Sequence, residues 1–205
     1  MSITFIILFI TSAISLVAFN SDQLMNRLIF NPYAIFHRGE WYRFLTSGFI
    51  HADLLHLIVN MFVLYSFGEV VEMYFNQVFG EMGSFNFILL YVGGLMFSIL
   101  PTYKKNRENF FYNGLGASGA VSAIVFSFIL FNPMQNLCLY GILCLPGILF
   151  GVIYLVYCYY MDKKGGTNVN HDAHLWGAIY GFVFTGAMRS EEHTSELQSP
   201  CNLVC

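Results

Sequence analysis

The chain has 205 residues, of which 57% are hydrophobic and only 10% are charged, and its mean hydropathy is +0.60. Because roughly a quarter of the residues of a soluble domain are charged, this composition excludes an ordinary soluble domain and indicates one polytopic domain in a lipid bilayer. The formal net charge is −3 and no basic tract is present, so nucleic acid is not an expected partner.

Six apolar stretches predict an all-α bundle of six membrane-spanning helices. In chain order they cover residues 1–19, 53–74, 85–100, 118–131, 137–160 and 172–188. The first lacks the basic start of a signal peptide, so we interpret it as a retained helix. We expect Pro101 to end the third helix and Pro146 to kink the fifth. No internal repeat is visible, which disfavours a transporter.

The connection over residues 20–52 mixes aromatic side chains with a few charges, among them Glu40 and Arg43. Such a mixture is typical of a segment that lies in the membrane interface. We therefore expect this connection to rest against the bilayer rather than to form a free loop in water.

Three of the five cysteines, Cys138, Cys144 and Cys158, lie in the apolar stretches. A cysteine in such a place is usually a small hydrophobic residue, so we expect no disulfide framework. The remaining two, Cys201 and Cys205, belong to a C-terminal tail of different character.

That tail begins with residues 189–199, which match what a common short-read sequencing adapter encodes when translated in frame. The apolar pattern stops just before it, and nothing in it fits a membrane helix. We therefore interpret residues 1–188 as the native membrane domain and residues 189–205 as an assembly artefact. His193 and Ser195 are for this reason not candidate site residues.

Polar side chains stand near the start of every second predicted helix. His51, His56 and Asn60 accompany the second helix, Ser118 begins the fourth, and His174 lies near the start of the sixth. Helices two, four and six start from the same face of the membrane, so these groups are expected at one depth. Each one alone is more often structural, for example a serine bonded to a helix carbonyl. Together they indicate function, because polar groups inside a membrane are costly.

These residue types suit acyl transfer. A serine hydroxyl becomes a nucleophile when a neutral imidazole takes its proton, so Ser118 and His174 form a candidate dyad. Asp172 is two residues from His174 and faces elsewhere on a helix. His56 and Asn60 are four residues apart on one helix face and are candidate donors to an oxyanion, together with the backbone N–H of Ser118.

Small residues favour close approach of the fourth and sixth helices. Gly116 and Gly119 flank Ser118, and Gly177 and Gly181 form a small-xxx-small stripe on the side that follows His174. Such stripes let two helix backbones approach closely. They are common in plain helix packing, and here packing and catalysis require the same contact.

A metal or haem site is an alternative use of the histidines, since His51, His56, His171 and His174 all carry imidazole ligands. However, the sequence contains no HExxH pair and no CxxC, and these are the patterns typical of zinc sites. We therefore expect neither a metal nor a cofactor.

Four motifs follow one another in the chain: Glu40 to Thr46, His51-x4-His56-x3-Asn60, Gly116-Ala117-Ser118-Gly119, and Ala173-His174-x2-Gly177-x3-Gly181. Their residues, order and spacing resemble those of the rhomboid intramembrane serine proteases over residues 1–188. The resemblance implies a six-helix bundle that cleaves substrate proteins in or near a transmembrane helix.

The resemblance also implies roles for single residues. It implies Ser118 as nucleophile, His174 as general base, and His56 and Asn60 as oxyanion donors. It also implies that Glu40 and Arg43 belong to the framework of the first connection and that His51 and the motif glycines support the site.

The chain departs from the family pattern at one position, where Ser122 replaces a tyrosine that stacks on the catalytic histidine in some members. Retention of both Ser118 and His174 disfavours the alternative of an inactive rhomboid-like protein that binds transmembrane helices without cutting them. The resemblance implies an active site on the non-cytoplasmic side, and we expect a bacterial inner or plasma membrane.

The distribution of basic residues opposes that orientation. Before the tail, all lie in connections on the active-site face: Arg27, Arg38, Arg43, Lys104, Lys105, Arg107, Lys163 and Lys164. The positive-inside rule would put this face in the cytoplasm. We follow the family, because the catalytic motifs determine the fold.

Overall fold

The computed structural model describes residues 2–139, 143–166 and 169–198. Within these ranges the α-helices in chain order are α1 Ile3–Ala18, α2 Asp22–Leu28, α3 Pro32–Arg38, α4 Arg43–Thr46, α5 Leu54–Phe79, α6 Gly83–Asn106, α7 Ser118–Phe131, α8 Gly147–Lys164 and α9 His171–Gln198. Strands β1 Asn136–Leu139 and β2 Leu143–Pro146 form an antiparallel hairpin between α7 and α8. Cys201 and Cys205 lie outside the described residues.

Polar caps determine where several helices begin. Ser2 accepts a hydrogen bond from the amide of Phe5 at the start of α1, and Asp53 accepts one of 2.8 Å from His56 N at the start of α5. Asn170 Oδ1 accepts one of 3.1 Å from Ala173 N at the start of α9. Each cap satisfies an amide that has no partner inside the helix.

One stretch, Leu54–Asn106, is long and apolar enough to cross a membrane by length and composition. It comprises α5 and α6, which are joined by a short 3-10 turn. The helices Ile3–Ala18 and Ser118–Phe131 are apolar but shorter. The mainly helical fold agrees with the sequence, whereas six membrane crossings remain a prediction.

Helix α7 lies in the middle of the bundle. Its residues Ala120, Ala123 and Ile124 are fully buried. A Cβ atom added to Gly94 of α6 would lie 2.9 Å from Ala120 Cα, so α6 packs directly on one side of α7. By contrast, the outer faces of α1, α5 and α9 expose large apolar side chains such as Phe9, Phe62 and Val183. Such broad apolar faces are suited to lipid rather than to water.

The third predicted helix does not end at Pro101. Helix α6 continues to Asn106 with Pro101 inside it. A proline removes one backbone donor but need not end a membrane helix whose neighbours hold the following turn. Here Thr102 Oγ1 donates to Asn170 Oδ1 at 3.3 Å, and Asn106 Nδ2 donates to Thr102 O at 2.9 Å.

The prediction of the fifth helix is also wrong over residues 137–139 and 143–146, and Pro146 ends strand β2 instead of kinking a helix. Residues 136–139 and 143–146 form the hairpin, and α8 begins only at Gly147. Cys138 pairs with Cys144 across the hairpin, and the two sulfurs form a disulfide. This corrects the expectation of unpaired cysteines: a short apolar run fits a strand as well as a helix, and the antiparallel register brings the two thiols together. Cys158 is free and buried.

The last helix extends beyond the predicted residues 172–188, since the α9 backbone is helical through Gln198. Residues 189–198 contain three glutamates and one residue each of arginine, leucine and glutamine, which favour a helix by local propensity whatever the origin of the segment. The interpretation of residues 189–205 as foreign to the protein therefore remains a prediction.

Candidate active site

His51 is held in the loop before α5 and is fully buried. Ser15 Oγ of α1 lies 3.0 Å from His51 Nδ1, and Ala117 N donates to His51 Nε2 at 3.5 Å. Burial is the main cause that lowers the pKa of His51 to about 4. The neighbouring His56 lowers this pKa further, whereas Asp53 raises it. A neutral His51 therefore links α1 to the segment that carries Ser118.

The segment before Ser118 needs a glycine at position 116. Gly116 has φ +109, and its amide donates to Ser47 O at 2.9 Å. A Cβ atom at this position would lie 2.8 Å from His56 Cε1. The backbone just before the serine therefore runs directly against the imidazole of His56, in a conformation that glycine adopts readily.

Close backbone contact brings α9 to α7 beside Ser118. A Cβ atom added to Gly177 would lie 2.2 Å from Gly119 O, and one added to Gly181 would lie 2.1 Å from Ala123 O. A Cβ atom on Gly119 would lie 3.5 Å from Ala173 O, the residue before His174. Thus the glycine stripes of the two helices meet, and Ser118 and His174 start adjoining helices at the same end of the bundle.

No hydrogen bond joins Ser118 to His174 among the residues that the structure describes. The imidazole of His174 lies instead nearly parallel to the ring of Tyr154, with 8° between the planes and 6.5 Å between the centroids. Catalytic hydrogen bonds are often long or unformed without substrate. The two candidate dyad residues therefore lie on adjoining helices but are not hydrogen-bonded to each other.

The two oxyanion candidates differ in their placement. The ring of His56 packs edge-on against His51, with centroids 4.9 Å apart, and beside Gly116. Asn60 is buried, and its Nδ2 donates to His56 O at 2.9 Å. Thus His56 lies next to the serine segment, whereas the Asn60 amide is bonded within its own helix.

Arg43 holds the connection over residues 20–52 in place. Its guanidinium is buried, pairs with Glu40, and donates from Nη1 to Asn26 O at 2.9 Å and to Ile29 O at 2.7 Å. A planar guanidinium with several donors suits this task better than an ammonium. The contacts join the short helices α2 and α4 beside the site.

A cavity of about 30 Å³ lies next to Ser118. It is lined by polar residues such as Ser47, Ser98 and Asn170 and by apolar residues such as Phe30 and Leu95. A cavity of this size has room for a water molecule, and the serine and asparagine residues of its lining offer polar partners. Water thus has a place within the protein beside the candidate nucleophile.

Sequence reasoning missed two residues of this region. Tyr154 of α8 packs on His174, and its hydroxyl is hydrogen-bonded to Ser122 Oγ at 2.9 Å. Cys158, one turn further along α8, belongs to a group with His171 and His174 whose potential ligand atoms all lie within 4.8 Å of one another. Neither residue belongs to a motif, and only the folded position of α8 relates them to His174.

Comparison with known proteins gives a family. The model of the Rhomboid domain matches residues 38–191. The chain is 30% identical to RHOMBOID-like protein 12, mitochondrial, of Arabidopsis thaliana over 183 residues, which is 83% of this chain and 53% of that protein. It is 27% identical over 146 residues to Presenilin-associated rhomboid-like protein A, mitochondrial, of Danio rerio, covering 68% of this chain and 36% of that protein.

A bacterial relative is also similar. The chain is 26% identical over 178 residues to Rhomboid protease GluP of Bacillus subtilis (strain 168), covering 87% of this chain and 30% of that protein. The chain thus spans about half or less of the length of these relatives. With the domain match covering most of its residues, the chain belongs to the rhomboid family of integral membrane proteins.

Proposed function

We propose that this protein is an intramembrane serine endopeptidase that cleaves substrate proteins in or near a transmembrane helix. The observation that carries the proposal is the meeting of Ser118, His56 and the start of α9 with His174 at one end of the bundle. One relative is named a rhomboid protease. Chemistry at a serine needs a base, an oxyanion site and water, and this end of the bundle has a candidate for each.

In the proposed reaction, the Ser118 hydroxyl attacks the carbonyl carbon of the scissile peptide bond while His174 accepts its proton. The backbone N–H of Ser118 and the His56 imidazole donate to the oxyanion, because both border the loop at Gly116. His174 then gives the proton to the leaving amine. Water from the cavity beside Ser118 hydrolyses the acyl-enzyme, with His174 again acting as base.

The test is cleavage of a transmembrane reporter in liposomes by the full chain, compared with the variants Ser118→Ala and His174→Ala. We expect each variant to lose cleavage by at least about 10³-fold, since members of a nucleophile-base unit fail together. A fluorophosphonate probe should label only the protein that retains Ser118. If Ser118→Ala cuts as fast as the unmodified chain, the proposal is wrong.

The second candidate is an inactive rhomboid-like protein that binds transmembrane helices. Two observations favour it: Ser118 and His174 are not hydrogen-bonded in the described residues, and two of the reported relatives are named rhomboid-like rather than proteases. In the same reporter assay this candidate predicts capture of the reporter without cleavage and no fluorophosphonate labelling of a folded protein.

The membrane and the orientation of the protein are also proposals. Following the family resemblance, we propose that the active-site end opens to the non-cytoplasmic side. Two of the reported relatives are named mitochondrial and the third is bacterial, so they do not support the bacterial plasma membrane expected from the sequence.

A further inference from the structure

A thiol and two imidazoles meet where α8 packs on α9. Cys158 is a free cysteine of α8 and fully buried. His171 and His174 are three residues apart, so they share one face of α9. One potential ligand atom from each of the three residues lies within 4.8 Å of the other two.

His171 is the unusual member of this group. It is only 6% exposed, and its Nδ1 has no hydrogen-bond partner within the described residues. Its ring packs edge-on against Tyr157 at 5.5 Å and against His174 at 6.1 Å between centroids. A buried polar atom without a hydrogen-bond partner is destabilising, so this nitrogen is suited to an additional ligand.

We propose that Cys158, His171 and His174 bind a borderline-soft divalent cation of the Zn²⁺ type, and that the bound cation switches off the catalytic base. The inhibitory part rests on the proposed proteolytic function, whereas the binding part does not.

The donor set fits Zn²⁺ in number and kind. Protein Zn²⁺ sites often have three ligands from cysteine and histidine with a fourth position left to water. With Zn–S near 2.3 Å and Zn–N near 2.0 Å, tetrahedral ligand atoms stand roughly 3.3–3.6 Å apart. The three potential ligand atoms lie within 4.8 Å of one another, so the proposal requires only a small further approach of the side chains on binding. The thiolate supplies one negative charge, and the proton that Cys158 releases leaves to solvent.

Inhibition follows from the chemistry of imidazole. A neutral imidazole has one nitrogen that bears hydrogen and one that carries a free lone pair. A cation bound to His174 takes that lone pair, whichever nitrogen it uses, and the other nitrogen keeps its hydrogen. His174 then has no site that accepts the Ser118 proton, so acylation stops until the cation leaves.

Cobalt(II) tests the binding directly. The full chain carries Ser118→Ala, to prevent proteolysis, and Cys201→Ser with Cys205→Ser, to remove the tail thiols. We expect Co²⁺ to produce a saturable thiolate-to-cobalt charge-transfer band at one ion per chain, which Zn²⁺ abolishes by displacement. The band should vanish in Cys158→Ser, and the affinity should fall in His171→Ala by more than the roughly 10- to 100-fold that loss of an outer partner costs.

Two controls separate this site from adventitious binding. His37 of α3 is partly exposed and lies outside the cluster, so His37→Ala should leave the band unchanged. The band should also persist when Cys138 and Cys144 are both replaced by serine. If Cys158→Ser does not fold, Zn²⁺ protection of Cys158 from alkylation in the parent chain, lost in His171→Ala, gives the same information.

The activity arm uses the chain with Ser118 intact. Zn²⁺ should inhibit cleavage, a chelator should restore it, and the inhibition constant should rise at least tenfold in His171→Ala, each variant being compared with its own metal-free rate. Absence of the cobalt band in a folded parent chain, or equal inhibition of parent and His171→Ala, overturns the metal site. A cobalt band in a chain that never cleaves supports the site and rejects the protease instead.

Discussion

The ring that packs on His174 comes from Tyr154, on a helix without a recognised motif. Some family members place a tyrosine four residues after the serine for this purpose, and here that position is Ser122. The Ser122 hydroxyl is bonded to the Tyr154 hydroxyl at 2.9 Å. The small residue on α7 therefore anchors a large ring that α8 supplies, and we infer that Tyr154 is a positioning residue for the imidazole.

We expect Tyr154→Ala to lower kcat about tenfold with little change in KM. Loss of a ring contact costs about 0.5–1.5 kcal/mol, and about 1.4 kcal/mol is a factor of ten in rate. Tyr154→Phe keeps the ring and loses only the bond to Ser122, so it should retain most of the activity. Steady-state kinetics on a transmembrane reporter measure both.

Thermal unfolding of each variant in detergent distinguishes misplacement of His174 from general destabilisation. Equal kcat for Tyr154→Ala and the unmodified chain would show that the ring does not position the histidine. If Tyr154→Phe loses as much activity as Tyr154→Ala, the hydroxyl rather than the ring is what matters.

At the scale of elements, the contact between α7 and α9 depends on glycine. A Cβ atom on Gly177 would lie 2.2 Å from Gly119 O, which is backbone and cannot rotate away. We expect Gly177→Ala to push the helices apart, to destabilise the fold by about 1–3 kcal/mol, and to reduce cleavage because His174 moves away from Ser118. Unfolding in detergent and reporter cleavage check the two effects.

The same helix offers a matched control in Gly186. The nearest atom to a Cβ there is Leu130 Cδ2 at 3.8 Å, an ordinary contact. Gly186→Ala should therefore leave activity unchanged and stabilise the helix by up to about 1 kcal/mol through propensity. If both alanines have the same effect, the close approach of the backbones is not what requires glycine at 177.

The elements also show what local sequence can and cannot predict. Sustained apolar stretches predicted α1 and α7 closely, and α5 except for its last five residues, because the helix signals there are local. Pro101 was misread because the turn after it is held by a partner far along the chain, whereas residues 136–139 and 143–146 were misread because a short apolar run fits a strand as well as a helix. Thr102 bonds to Asn170 across the bundle, and Cys138 meets Cys144 only in the hairpin register.

The residues of the candidate site can likewise be divided into those that the sequence predicted and those that it did not. Motifs marked Ser118, His174, His56 and the glycines, and the fold brings their segments together. The bond that Asn60 makes to His56 O, the ring of Tyr154 and the thiol of Cys158 depend on side-chain geometry between helices. Spacing along the chain carries no signal for contacts of that kind.

At the scale of the whole molecule, two features oppose the orientation taken from the family. Basic residues such as Lys104 and Arg107 belong to the active-site end, whereas the Cys138–Cys144 disulfide lies beyond the other end of α7. Basic loops favour the cytoplasm, and disulfides persist in oxidising compartments. Both features would place the candidate active site on the cytoplasmic side. The proposed non-cytoplasmic orientation therefore has to be tested directly.

Two exposed positions on the loops that flank α7 provide it. Phe111 precedes α7 at the active-site end and is 86% exposed, and Met134 follows α7 and is 75% exposed. In a chain whose five cysteines are all replaced by alanine, we expect a membrane-impermeant maleimide to label Phe111→Cys in intact cells and Met134→Cys only after the membrane is opened. The reverse pattern would overturn the orientation and favour the positive-inside rule, with the hairpin in the oxidising compartment that its disulfide requires. Labelling of both positions in intact cells would mean that the protein inserts in two orientations. Adding the reporter from one side of the membrane at a time would then show which population cleaves it.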